Sequence, residues 1–132
     1  RAAAARALGR LNSDGQGALA GGVADGDGAV RKAALEAATR VSSFAEASSV
    51  VRALSDGDAT VRLKAVQLLD QMRAKDAVAA LLNLAQNDPE WNVRGAACHA
   101  LGNLGDASAR AALSGLAERD SHPLVRSQAR IA

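Results

Sequence analysis

Residues 88–106 read DPEWNVRGAACHALGNLGD, and the remainder of the chain can be aligned on them. The segment opens with a turn at Asp88-Pro89, runs into a helix at Val93-Arg94 and stops at Gly105-Asp106. The same skeleton returns every 31 to 32 residues: Asp25 with Val30-Arg31, Asp56 with Val61-Arg62, Asp88 with Val93-Arg94, and Asp120 with Val125-Arg126. A fixed period of this size, with one supersecondary unit per period, is the signature of a solenoid, in which each unit buries its apolar face against its neighbours.

Counting outward from each arginine exposes the helical phase. The third position is Ala4, Ala34, Ala65, Ala97 and Ala129; the seventh is Leu8, Ala38, Leu69 and Leu101; the tenth is Leu11, Val41, Met72 and Leu104. Offsets of three, seven and ten trace one face of a helix with 3.6 residues per turn. A small residue at the centre of that face lets a neighbouring helix approach closely. These are the B helices. Between them lie the A helices: a first one weakened by Gly21 and Gly22, a second opened by the capping-box pattern Ser43-Phe44-Ala45-Glu46, a third capped by Asp76 with Leu81, Leu82 and Leu84, and a fourth begun by Asp106 with Ala109, Leu113 and Leu116. Asp27 or Gly28 caps the first complete B helix, and Asp58 or Thr60 the next. Pro89 suits a first helical turn, where a missing N–H does no harm, and Ser121-His122-Pro123 repeats that turn.

Composition agrees with close helix stacking. Hydrophobic residues reach 48% while aromatics are 2%, and alanine dominates. No run alternates polar and apolar for long, so a sheet is not expected. Sixteen basic residues face 14 acidic ones, spread along the chain without a block of like charge, which argues against nucleic-acid binding. The length of 132 residues suits one domain. The single cysteine excludes an internal disulfide and suits a reducing, cytoplasmic setting. No apolar run approaches a membrane span and no signal peptide is visible. The chain starts at Arg1, so a fragment or processed chain is expected, cut inside a repeat at both ends; self-association through apolar end faces would follow.

The pattern of Asp88, Val93-Arg94, Ala96-Ala97, Ala100-Leu101-Gly102, Leu104-Gly105-Asp106, then Ala109, Leu113 and Leu116, resembles the short HEAT-like repeat first described in phycobilisome bilin lyases. The resemblance covers essentially the whole chain. It implies an all-α, right-handed α-solenoid of stacked antiparallel helix pairs in a single domain, 1–132. The units are a half repeat at 1–11, repeats at about 12–42, 43–74 and 75–105, and a partial repeat at 106–132. In such repeats the positions of Asp25, Arg31, Asp56, Arg62, Asp88, Arg94, Asp120 and Arg126 resemble a ladder tying each turn to its own and the next helix, with the planar arginine fork serving carboxylate and carbonyl together. Catalytic groups are not copied into every repeat.

Other residues that carry chemistry have plainer roles. Cys98 and His99 are adjacent, so on a helix they point about 100° apart. Cys98 shares the register of Leu35 and Val66 and should be a buried apolar side chain, whereas His99 faces outward. HEAT-repeat metal enzymes that hydroxylate protein lysine derivatives carry several His-Glu dipeptides; this chain has none. DNA glycosylases on a similar scaffold need an aromatic and acidic cluster in a basic groove, which lone Trp91 does not make. Trp91 is placed in the loop before its B helix, either as a partner anchor or packed over helix ends.

The outward B-helix face is where a partner would be read. Its residues are Lys32, Glu36, Thr39 and Arg40, then Leu63, Gln67, Asp70 and Gln71, then Gly95, His99, Gly102 and Asn103. Gly95 and Gly102 would let a partner backbone come close; the plainer alternative is a solvated face. The expected function is non-catalytic protein interaction or scaffolding for a peptide or partner helix, with no cofactor, no metal and no catalytic residue. The rivals are a component of a bilin lyase or isomerase, implied only by the resemblance, and weak nucleic-acid binding.

Overall fold

A computed structural model describes residues 26–38 and 47–132. All regular structure among them is helical: α1 (Gly28–Ala38), α2 (Ala47–Ala53), α3 (Ala59–Gln71), α4 (Val78–Asn87), α5 (Trp91–Leu104), α6 (Arg110–Arg119) and α7 (Pro123–Ile131), with short 3-10 turns at Lys75–Ala77 and Ala107–Ala109. No described helix is long and apolar enough to cross a membrane. The contacts divide the chain into two compact units at Met72/Arg73, beside the repeat boundary expected at 74/75.

In the first unit α3 packs against both α1 and α2. In the second, α4 folds back on α5 through the three-residue turn 88–90 and α6 folds back on α7, while α5 also lies along α7 and α4 touches α6. The second unit is therefore two helix pairs packed like on like. The alanine register makes this possible: Ala34, Ala65 and Ala97 are fully buried and Ala129 nearly so. Ala38, Leu69 and Leu101 continue the buried stripe one turn on. With only a methyl group at the centre of the stripe, helix axes can approach toward the short end of the usual 8–10 Å range. Met72 and Leu104, the last positions of the stripe, are only half-buried.

Helix entries follow from short polar side chains. Asp27 Oδ1 accepts the Ala29 N–H at 2.8 Å and Asp58 Oδ1 accepts the Thr60 N–H at 2.8 Å. These bonds satisfy N–H groups that have no partner inside the helix. Asp76 does not act this way. It is exposed in a 3-10 turn, and α4 starts from Ala77 with no side-chain cap; the Val78 N–H, two residues after Asp76, is already taken by the Lys75 carbonyl. Asp106 caps the equivalent 3-10 turn through Ser108, so α6 begins only at Arg110. Pro89 precedes the N-cap Glu90 of α5, and only Pro123 occupies a first helical position.

Helix exits differ between repeats. Gly105 ends α5 in the left-handed conformation, φ 66°. The aligned residue after α3 is Arg73, which holds φ 54° with a full side chain and donates from Nη1 to the Asn103 carbonyl at 3.1 Å. The capping box at Ser43–Glu46, the glycine-weakened first A helix and the half repeat 1–11 lie outside the described residues.

Candidate functional site

The arginine ladder is the first arrangement with functional groups. Arg94 grips the Asp120 carboxylate with both arms of its fork, Nε to Oδ2 at 2.9 Å and Nη2 to Oδ1 at 3.1 Å, while Nη1 donates to the Asp88 carbonyl at 2.9 Å. Arg31 holds the Asp56 carboxylate through Nε and Nη2 in the same way. Arg62 and Arg126 donate to the carbonyls of Asp56 and Asp120, each six residues back. The Asp/Arg spacing inside a repeat thus reflects a main-chain contact. The carboxylate belongs to the arginine of the preceding repeat.

Each of these aspartates also organises its own turn. Asp56, Asp88 and Asp120 accept the backbone N–H two residues on, from Asp58, Glu90 and His122, all at 2.9 Å. Burial pushes the Asp120 carboxyl up, but the hydrogen bonds from Arg94 and the His122 N–H outweigh it and hold the group below the ordinary aspartate range. A carboxylate that accepts three hydrogen bonds from its own turn and from Arg94 is engaged as a brace. Asp25 lies outside the described residues.

On the outward face, Gln67, Gln71, His99 and Asn103 are exposed, and Leu63 is half-buried. The Asn103 amide nitrogen lies 3.2 Å from His99 Nε2, one helical turn away. Lys32 and Glu36 reach across to α3, as Lys32–Asp58 at 3.9 Å and Glu36–Lys64 at 2.7 Å. They tie neighbouring B helices together. Thr39 and Arg40 lie outside the described residues.

Gly95 and Gly102 correct the expectation of a bare, approachable third repeat. Gly95 is buried; a Cβ there would meet Gln128 Cγ and Val125 Cγ2 of α7 at 3.9 and 4.0 Å. At Gly102 a Cβ would fall 2.6 Å from the Cβ of Ala132. What comes close to Gly95 is the chain's own α7, and what comes close to Gly102 is Ala132, the residue that follows that helix. The physical reason is that the first and eighth positions of a B helix look sideways toward the next B helix.

Trp91 also moves. It is the first residue of α5, 43% exposed, with its indole stacked on the His122 imidazole at 4.2 Å between centroids and 5° between planes. His122 is the N-cap of α7, and its Nδ1 accepts the Leu124 N–H at 3.2 Å. Beside the stack is a cavity of about 200 Å³ lined by Trp91, Asn92, Gly95, Ala96, Leu124 and Gln128. Leu124 is 54% exposed. Sequence reasoning missed His122, Leu124 and Gln128. The available signal was register: His122 precedes Arg126 by four residues and Trp91 precedes Arg94 by three, so the two sit at the same level of adjacent B helices.

Cys98 is buried, as are Leu35 and Val66, which hold the same register position in their own repeats. Burial pushes its thiol up to about 11, the Asp120 charge adding to this and Arg94 opposing it. At neutral pH it is a protonated, unreactive side chain. Among the described residues no cluster of three or more His, Cys, Asp or Glu could hold a metal ion.

A family model described as HEAT repeats matches residues 47–132. No curated protein matches the chain.

Proposed function

The chain belongs to the HEAT-repeat family, and on that footing we propose that it is a non-catalytic protein-interaction or scaffolding module that binds a partner peptide or helix on its B-helix face. The helix pairs form a right-handed α-solenoid of about three full repeats and two half repeats. The observation that carries the reading is the exposed Trp91 at the rim of an apolar cavity between α5 and α7. An aromatic anchor beside a pocket, with the amides of Asn92 and Gln128 at its edge, has the make-up of an interaction hot spot. The charged residues that repeat along the chain are engaged in the ladder, which supports a bracing role for them.

A displayed peptide library selected on the chain tests this. Binders should lose about 2 kcal/mol, roughly thirtyfold in affinity, against Trp91→Ala, and should change little between low and moderate salt. Binders indifferent to Trp91→Ala, His99→Ala and Arg40→Ala alike would remove the B-helix face. A steep salt dependence would point to nucleic acid. A covalent, coloured adduct on incubation with bilin and an acceptor protein would point to lyase chemistry.

A further inference from the structure

The Trp91–His122 stack has a property that does not depend on whether the neighbouring cavity binds a partner. The Leu124 backbone N–H can only donate, so His122 Nδ1 must present a lone pair, which puts the ring proton on Nε2 and makes the ring neutral. We infer that His122 is a proton-driven switch at the rim of the Trp91 cavity: neutral, it caps α7; protonated, it releases the Leu124 amide and remains on the indole as a cation.

The step is simple. A proton from solvent binds Nδ1, the hydrogen bond from the Leu124 N–H breaks, and the imidazolium now stands at the positive end of the α7 dipole. Two contacts offset this. The indole face attracts a stacked cation, and the Asp120 carboxylate lies in the same turn, accepting the His122 backbone N–H. The charged groups on the surrounding elements are Asp88, Glu90 and Arg94 at the start of α5, Arg119 and Asp120 at the end of α6, and Arg126 in α7. Arg94 holds the Asp120 carboxylate and Arg126 its carbonyl, so most of the negative charge facing His122 is already matched. What changes is geometry: Leu124 and Trp91 both line the cavity, so freeing the first turn of α7 alters its wall.

Trp91 is the chain's one tryptophan, so its fluorescence reports this stack alone. Between pH 8 and 5 the emission should fall along a single sigmoid as the imidazolium forms against the indole. Over the same range opening of the Leu124 amide, followed by hydrogen exchange corrected for pH, should rise about fivefold, as for a lost helix cap. His122→Asn still caps but does not titrate, and should abolish both changes; His99→Gln should leave both intact. A flat parent profile, a sigmoid that survives His122→Asn, or an unmoved Leu124 amide would overturn the switch. Nitrogen NMR of the parent ring supplies a check that needs no variant: a neutral His122 carrying its proton on Nδ1 would equally overturn it.

Discussion

Asp120 shows how much one side chain carries in this repeat. It shapes its turn, receives the fork of Arg94 and is 5% exposed. Its folded-state pKa lies below the ordinary value, so the stability it contributes is fully present above about pH 4 and is lost as pH falls through the folded value. Asp120→Asn should therefore lower the urea midpoint at pH 7, with the gap from the parent shrinking toward pH 3. Arg73 works in the opposite sense. A side chain at φ 54° sits where the sister repeat has Gly105, and its bond to the Asn103 carbonyl is exposed. Arg73→Gly should raise stability by about 0.5–1 kcal/mol, read as a higher denaturation midpoint. The Asp and Arg positions were plain in the sequence because they recur. That the carboxylates of Asp56 and Asp120 serve the preceding arginine followed only from the resemblance to known repeats, since a six-residue spacing cannot distinguish a carbonyl contact from a carboxylate one.

Among the helices, α5 decides most. It is a B helix with two glycines, Gly95 and Gly102, and the register alone suggested room for a visitor. Packing against α7 gives those glycines another meaning and separates them. The contacts a Cβ would make at Gly95 are ordinary ones at 3.9 and 4.0 Å. Gly95→Ala should accordingly stabilise by about 0.5–1 kcal/mol through helix propensity, seen as a raised melting temperature. Gly102→Ala should instead cost stability, because the new atom would stand 2.6 Å from the Ala132 Cβ and 2.7 Å from its Cα, so backbone must shift to admit it. The periodic stripe of Ala34, Ala65, Ala97 and Ala129 announced which face is buried. Helix starts were less readable: Trp91 opens α5 and Asp76 leaves α4 uncapped, because short 3-10 and Asx turns absorb the entry before any side chain is needed.

At the scale of the molecule, a repeat architecture spreads stability over joints of similar construction, and within each compact unit one such joint is closed by an arginine reaching into the next turn, Arg31 to Asp56 and Arg94 to Asp120. Arg94→Ala opens one such joint and leaves Asp120 without its main partner, a cost of about 2–3 kcal/mol. Hydrogen exchange should show the loss concentrated in α5, α6 and α7, with α1 and α3 much less affected; Arg94→Lys keeps the charge but not the fork and should recover only part. The period and the match to HEAT repeats settle the family, whereas the cavity beside Trp91 depends on two residues from different repeats meeting, which no single repeat reveals. The single thiol of the chain, on Cys98, turns this arrangement into a built-in clock. Sealed inside α5 and protonated at neutral pH, it can meet a labelling reagent only in the moments when the second unit breathes. The rate at which a disulfide reagent consumes it will therefore count those moments, and any ligand that clamps α5 to α7 will slow the count.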